Sequence, residues 1–156
     1  MALVELLLSP LPGHVRTARL VTVTAARRAG LEDHLVDELR FAVGEAASRA
    51  VGLHQRHAPD DAVRITVEDG PAGLVVTVVD RGPAAGPGPD DVAAEIYEGG
   101  DLDDEPPLAP DVALSLITGL VDVSTVDAGP NGTTVTLTWP LPAAEQGPGS
   151  TAVAAR

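Results

Sequence analysis

Aromatic side chains are almost absent from this chain, and their scarcity limits how a hydrophobic core can be built. The sequence has one Phe, one Tyr and one Trp among 156 residues. The core therefore has to consist mainly of Leu, Val, Ala and Ile. Side chains of this size fill a core well when helices pack closely on a sheet. Because this length suits a single core, the sequence predicts one helix-on-sheet domain.

Two adjacent segments predict a β-hairpin in the middle of the sheet. Residues 63–68 alternate between apolar and polar side chains, which is the period of a half-buried strand. Residues 69–73 contain two Gly and one Pro and are predicted to form the hairpin loop. Residues 74–79 are almost entirely apolar, so they are predicted to form a central strand that is covered on both faces.

The other elements follow from periodicity and from residues that break regular structure. Proline cannot donate a ladder hydrogen bond, so the N-terminal strand that Pro10 follows is expected at a sheet edge or a dimer contact. Gly30 is expected to cap the first helix and Asp33 the second. Strands are predicted at 4–8, 63–68, 74–79, 123–126 and 133–139, and helices at 13–29, 33 to about 53, and 110–121. This order predicts an α/β fold of the α+β two-layer sandwich type, in which a mixed, mostly antiparallel sheet carries helices on one face.

The boundaries of the domain are marked by composition. Residues 1–141 are predicted to form the domain, and residues 142–156, rich in Ala, Gly and Pro, a disordered tail. The segment 83–109 holds eight acidic residues and no Arg, Lys or His. A loop of this length is expected to be either a functional lid or disordered. The sequence shows neither an apolar run of about 20 residues nor a cleavable signal, so we expect no membrane association and a cytoplasmic location.

The second predicted helix carries the most informative residues for function. Glu38, Ala42, Glu45 and Arg49 fall on one side of it, at i, i+4, i+7 and i+11. Glu45 and Arg49 are one turn apart in the orientation that favours a helical ion pair. They are therefore either a structural pair or part of a binding site, and the residues alone leave both interpretations open.

Further motifs follow this helix in a characteristic order. Asp80-Arg81-Gly82 interrupts the chain directly after the central strand, and Gly132-Thr133 opens the last strand. With Glu45, these motifs resemble the GHKL ATPases over residues 3 to 141. Within that family, the chain is most similar in length and order to the small bacterial anti-sigma factors that are serine/threonine protein kinases.

The resemblance implies a role for each matching residue. Glu45 corresponds to the catalytic glutamate, which would act as the general base toward a substrate Ser. Asp80 and Gly82 correspond to the turn that binds adenine, and Gly132 and Thr133 to the residues that close the adenine pocket. The segment 83–109 corresponds to the flexible lid over ATP.

The chain also departs from the family pattern where phosphate and magnesium are bound. Arg49 stands where the family has the magnesium-binding Asn, Ala84 replaces the second glycine of the adenine turn, and residues 111–114 replace a glycine turn. Phosphoryl transfer depends on metal positioning, so we expect the kinase reaction to be impaired, ATP binding to be weak or lost, and magnesium binding to be doubtful. Arg49 either blocks the metal or replaces its charge, and the sequence does not separate these alternatives.

These departures favour a degenerate anti-sigma-factor-like regulator over an enzyme. Such a protein would act in a partner-switching pathway by binding a sigma factor, an anti-anti-sigma antagonist, or both. The resemblance further implies a homodimer formed through the N-terminal strand and first helix. The alternative is an active ATP-dependent serine/threonine kinase that phosphorylates the antagonist.

The charge of the chain argues against nucleic-acid binding. The net charge is −13, and all ten basic residues are Arg. Nucleic-acid binding needs a basic surface, so it is not expected, whereas an acidic surface suits a basic protein partner. His54 and His57 have the i, i+3 spacing of a metal pair but lack a third ligand. They are therefore expected to be a helix-end pair, and no metal site is predicted.

Overall fold

The computed structural model describes residues 3–82 and 110–143. Its elements follow in the predicted order. They are β1 (Leu3–Leu8), α1 (Gly13–Arg28), α2 (Asp33–His57), β2 (Val63–Gly70), β3 (Gly73–Asp80), α3 (Pro110–Leu120), β4 (Val123–Gly129) and β5 (Gly132–Trp139). The predicted lid at 83–109 and all but the first two residues of the predicted tail lie outside the described residues.

The five strands form one sheet in the order β1-β2-β3-β5-β4, with helices packed against it. This arrangement confirms the predicted α+β fold. The sheet was predicted to be mixed, but all four strand pairings in the described part of the chain are antiparallel. Two of the pairings are hairpins, which are antiparallel by construction. Between β1 and β2 the chain passes through two helices, so it returns to the end of the sheet that it left and enters β2 in the opposite direction.

β3 occupies the centre of the sheet, as predicted, but only one of its faces is covered by helices. Val76 and Val78 point to the helices and are almost fully buried. Val75, Thr77 and Val79 alternate with them on the opposite, open face and are half-buried. The prediction that both faces would be covered is therefore wrong, because the described helices do not shield the second face.

The predicted edge position of the N-terminal strand is confirmed. Among the described residues, β1 pairs only with β2, and its Leu3 and Leu7 are exposed. Glu5 lies between them on the same face and forms an ion pair with Arg64 of β2. The other edge is β4, whose residues are also mostly exposed.

The helix ends differ slightly from the sequence prediction. After α1, Gly30 adopts a φ of +87°, and the Leu31 N–H donates to Ala26 O, which closes the helix in the manner expected of a C-terminal glycine. α2 begins at Asp33, with Glu32 rather than Asp33 at the cap position. It extends to His57, one turn beyond the predicted end near Leu53.

The core lies between the sheet and the helices and consists almost entirely of Val, Leu, Ala and Ile. Ala42, Val43 and Ala47 of α2 are fully buried, so this helix approaches the sheet closely. Trp139 is the one aromatic residue in the core cluster. Among the helices of the described residues, none combines the length and the apolarity needed to cross a bilayer.

Candidate functional site

The residues of the predicted site meet at one end of the sheet, beneath α2. Asp80 is the last residue of β3 and lies directly opposite Thr133 of β5 in the antiparallel register. Both side chains point to the helix-covered face, and each residue is only 2% exposed. A carboxylate and a hydroxyl are thereby placed side by side in the interior, next to the last turns of α2.

Arg49 of α2 reaches into this site and forms a buried ion pair with Asp80. Its Nη1 donates to Asp80 Oδ2 at 2.6 Å, and the two side chains are 5% and 1% exposed. The other carboxylate oxygen, Oδ1, accepts the backbone N–H of Gly82 at 2.9 Å. Both oxygens of Asp80 are therefore engaged by groups of the protein itself.

Two polar atoms in the same place lack a hydrogen-bond partner. Arg49 Nε and Thr133 Oγ1 are buried, and no group in the described residues bonds to either of them. Buried polar atoms are nearly always paired with protein or water in folded proteins. The site therefore retains unmet hydrogen-bonding capacity in addition to the ion pair.

The two predicted site glycines are required by packing. Gly132 has a φ of +138°, and a Cβ at this position would lie 1.9 Å from Asp80 O. A Cβ on Gly82 would lie 2.8 Å from Cβ of Leu53. Gly82 therefore lets the turn after β3 pack directly on α2.

His54 is part of this site, although the sequence placed it in a helix-end pair with His57. It is completely buried, Nδ1 lies 2.8 Å from Asp61 O, and Nε2 lies 2.9 Å from Arg81 N. The carbonyl can only accept and the backbone N–H can only donate, so these two hydrogen bonds fit the tautomer with a proton on Nδ1. His54 therefore fixes the turn that follows Asp80, while His57 is exposed.

A sequence signal for His54 existed in the buried stripe of α2. Ala47, Ala50 and Val51 are buried, and His54 continues their spacing by one turn. The predicted helix ended near Leu53, so the stripe was not extended to His54.

The residues predicted to share one side of α2 lie in two different surroundings. Glu45 is half-buried one turn before Arg49, on the side of the helix that the spacing predicted. Glu38 instead accepts a hydrogen bond from Trp139 Nε1 at 2.9 Å, at the opposite end of β5 from Thr133. Of these side chains, Arg49 contacts Asp80 directly, and Glu38 lies at the other end of the sheet.

Within residues 3–82 and 110–143, no group of three or more His, Asp or Glu side chains is arranged to hold a metal ion.

The fold agrees with comparisons to known proteins. The family model for the histidine kinase-like ATPase domain matches residues 8–139, and the chain belongs to this family. The predicted GHKL membership is thus confirmed. No curated protein matches the chain in sequence.

A solved structure supports the same fold. It contains the RsbU and RsbW domains of Rv1364c from Mycobacterium tuberculosis and matches with a TM-score of 0.65 and 17% identity. The match covers 90% of this chain and 33% of that chain. The chain thus spans about a third of the length of that structure, and at this identity the likeness establishes the fold alone.

The residues present do not fit ATP in the way that the family resemblance implies. An adenine amino group would have to donate to Asp80, but Asp80 already accepts from Arg49 and from Gly82. A carboxylate oxygen has further lone pairs, yet the guanidinium lies at hydrogen-bonding distance in the space in front of it. Both oxygens of Asp80 are therefore already engaged, and Arg49 offsets the charge of the carboxylate.

Proposed function

We infer that this chain is a regulatory protein-binding domain of the anti-sigma-factor type, in which ATP-dependent phosphoryl transfer has been lost. The observation that carries this proposal is the buried ion pair between Arg49 and Asp80. It supports the proposal because one residue change disables two functions, the recognition of adenine and the binding of magnesium.

Adenine recognition is disfavoured because ATP would have to separate this pair. Removing one partner of a buried ion pair typically costs about 3–5 kcal/mol, since the other charge is left buried and uncompensated. The hydrogen bond that Asp80 would accept from the adenine amino group contributes less, about 1.5–3 kcal/mol of favourable free energy. Recognition of adenine by Asp80 would therefore make binding of ATP less favourable overall.

Magnesium binding is disfavoured by charge. Arg49 occupies the position of the family's magnesium ligand, and a guanidinium remains protonated at any physiological pH. It brings a positive charge where a divalent cation would dock. Phosphoryl transfer relies on metal ions to neutralise the developing charge, so a site without the metal lacks the main catalytic element.

The proposed activity is the binding of a sigma factor, an anti-anti-sigma antagonist, or both, in a cytoplasmic partner-switching pathway. The net charge of −13 would speed the approach of a basic partner. A homodimer through β1 and α1 is part of the proposal. It is supported by the outer edge of β1, which no other described strand pairs with, and by the exposure of Leu3, Leu7 and Leu20.

The alternative function is an active ATP-dependent serine/threonine kinase that phosphorylates the antagonist. It is favoured by the retention of Glu45, half-buried on α2 close to Arg49, as the candidate base. The two functions differ in whether the unmodified chain binds ATP with magnesium.

Isothermal titration with ATP, with and without magnesium chloride, tests the proposal. The wild-type protein is expected to give no saturable heat at about 1 mM ATP, which corresponds to a binding free energy weaker than about −4 kcal/mol. Arg49→Asn removes the cation and restores the family's metal ligand, so it is expected to bind at least tenfold more tightly. Arg40→Asn is the matched control, because Arg40 lies exposed on the same helix and pairs with Asp37 at the surface.

The wild-type titration decides the question even if Arg49→Asn folds poorly. Magnesium-dependent binding of ATP by the wild-type protein in the micromolar range would overturn the proposal and establish the kinase alternative. Absence of any gain in a folded Arg49→Asn protein would show that Arg49 is not the block.

A further inference from the structure

A cavity lies at the end of the sheet opposite Asp80. It has a volume of about 260 Å³ and is bounded on one side by Leu35 and Glu38 of α2 and by Trp139 of β5. Asp122 and Val123, at the junction of α3 and β4, form the other side. Glu38 and Arg49 are eleven residues apart on α2, so the two sites are separated by about 16 Å along the helix axis.

The cavity has negatively charged groups set in an apolar wall. Trp139 Nε1 donates to Glu38 Oε1 at 2.9 Å, which holds this carboxylate against the indole ring. Asp122 supplies a second carboxylate. α3 ends two residues earlier, at Leu120, with no basic residue in its last turn, so the negative end of its dipole adds to the same potential. Among the described residues, no Arg or His lines the cavity.

An exposed apolar stripe leads along α3 to this cavity. Val112, Leu116 and Leu120 are spaced four residues apart on one side of the helix and are 48%, 41% and 38% exposed. Val123, which lines the cavity, is 57% exposed. Contiguous exposed apolar side chains are characteristic of protein interaction surfaces. Here the stripe ends at the carboxylates of Glu38 and Asp122. A complementary partner would therefore present apolar side chains next to a positive charge.

We propose that this cavity receives an arginine or lysine side chain of a protein partner, whose neighbouring apolar side chains rest on the α3 stripe. The charge would be met by Glu38 and Asp122, and the aliphatic part of the side chain by Leu35, Val123 and Trp139. The inference deepens the proposed function, since it rests on the chain being a protein-binding module and locates a docking surface away from the Arg49 site.

The single Trp of the chain gives a direct test by NMR. Ethylguanidinium, which has the charge and shape of the end of an arginine side chain, is titrated while the indole Nε1–H resonance of Trp139 is followed. Ethylurea is the neutral probe of nearly the same shape. A saturable shift with ethylguanidinium and none with ethylurea is expected, because the two probes differ in charge.

Variants then assign the shift to the two carboxylates. The double variant Glu38→Gln with Asp122→Asn should bind ethylguanidinium at least tenfold more weakly. Gln can still accept the hydrogen bond from Trp139, so the local structure is preserved. The double variant Asp60→Asn with Asp127→Asn removes two negative charges at exposed positions outside the cavity and should bind like the wild type.

The outcomes separate this inference from the loss of ATP binding. No saturable shift in the wild-type protein, an equal response to ethylurea, or unchanged affinity in the double variant of Glu38 and Asp122 would each overturn it. ATP binding by the wild-type protein would overturn the proposed loss of nucleotide binding but would leave a positive ethylguanidinium titration standing. A negative titration would likewise leave the interpretation of Arg49 untouched.

Discussion

At the scale of single residues, the central feature is a charge pair that joins helix to sheet. Arg49 and Asp80 are 31 positions apart in sequence. Helical spacing predicts contacts between residues three or four positions apart, so it predicts Glu45 as the neighbour of Arg49. It does not predict a contact between Arg49 and Asp80. The sequence identified each residue as belonging to the site. Their bond depends on how α2 crosses the end of β3, which no local pattern encodes.

The pair predicts a strongly non-additive response to mutation. Arg49→Met should destabilise the protein by about 3–5 kcal/mol, because it leaves the Asp80 carboxylate buried and unpaired. Asp80→Asn should cost a similar amount by leaving the guanidinium unpaired, although Asn still accepts from Gly82. The double variant should be more stable than either single variant, since it buries no unpaired charge. Urea unfolding of the four proteins measures these differences.

The same helix offers a control for this cycle. Arg40 and Asp37 form an exposed ion pair at 3.5 Å, and exposed pairs contribute about 0–1 kcal/mol. Arg40→Met and Asp37→Asn should therefore have small effects that add. If the changes at Arg49 and Asp80 were equally small and additive, the buried pair would not contribute to stability as described.

At the scale of elements, the strands and helices were largely predictable because their signals are local. Apolar periodicity and the positions of Gly and Pro gave the order of all eight elements. The errors concern tertiary context: the covering of β3 on one face only, and the last turn of α2. That turn exists because His54 finds partners in the loop before β2 and in the turn after β3.

Removal of the hydrogen bonds of His54 should loosen that turn. His54→Phe keeps a ring of similar shape but leaves the Arg81 N–H and the Asp61 carbonyl without partners. Both hydrogen bonds are part-buried, and each contributes about 0.5–1.5 kcal/mol, so a loss of at least about 1 kcal/mol is expected in urea unfolding. The Arg81 amide should also lose protection from hydrogen exchange.

His57 provides the matched substitution. It lies three residues further along α2 and is exposed, so His57→Phe should change stability by no more than about 0.5 kcal/mol. Equal effects of the two substitutions, or unchanged protection of the Arg81 amide in His54→Phe, would contradict the role of His54 in holding the turn.

At the scale of the whole molecule, charge is the dominant property. The chain has 23 acidic and ten basic residues. In a protein with so large a net charge, repulsion between like charges destabilises the compact state. Composition alone established this excess. The places where it is concentrated, such as the cavity lined by Glu38 and Asp122, depended on the packing of α2, α3 and β5.

Added salt should therefore stabilise the protein. Raising sodium chloride from about 10 mM to about 300 mM shortens the Debye length from about 30 Å to less than 10 Å and screens the repulsion. We expect the urea midpoint of the wild-type protein to rise over this range. A falling midpoint would mean that favourable surface ion pairs outweigh the repulsion between like charges.

The link between Arg49 and Asp80 also has a consequence for protein engineering. Replacing Arg49 with Asn would leave the Asp80 carboxylate inside the protein without its cation, so the variant is expected to be less stable than the wild type. An engineer who wanted to install a metal ligand at this position would therefore have to supply Asp80 with another partner in the same design.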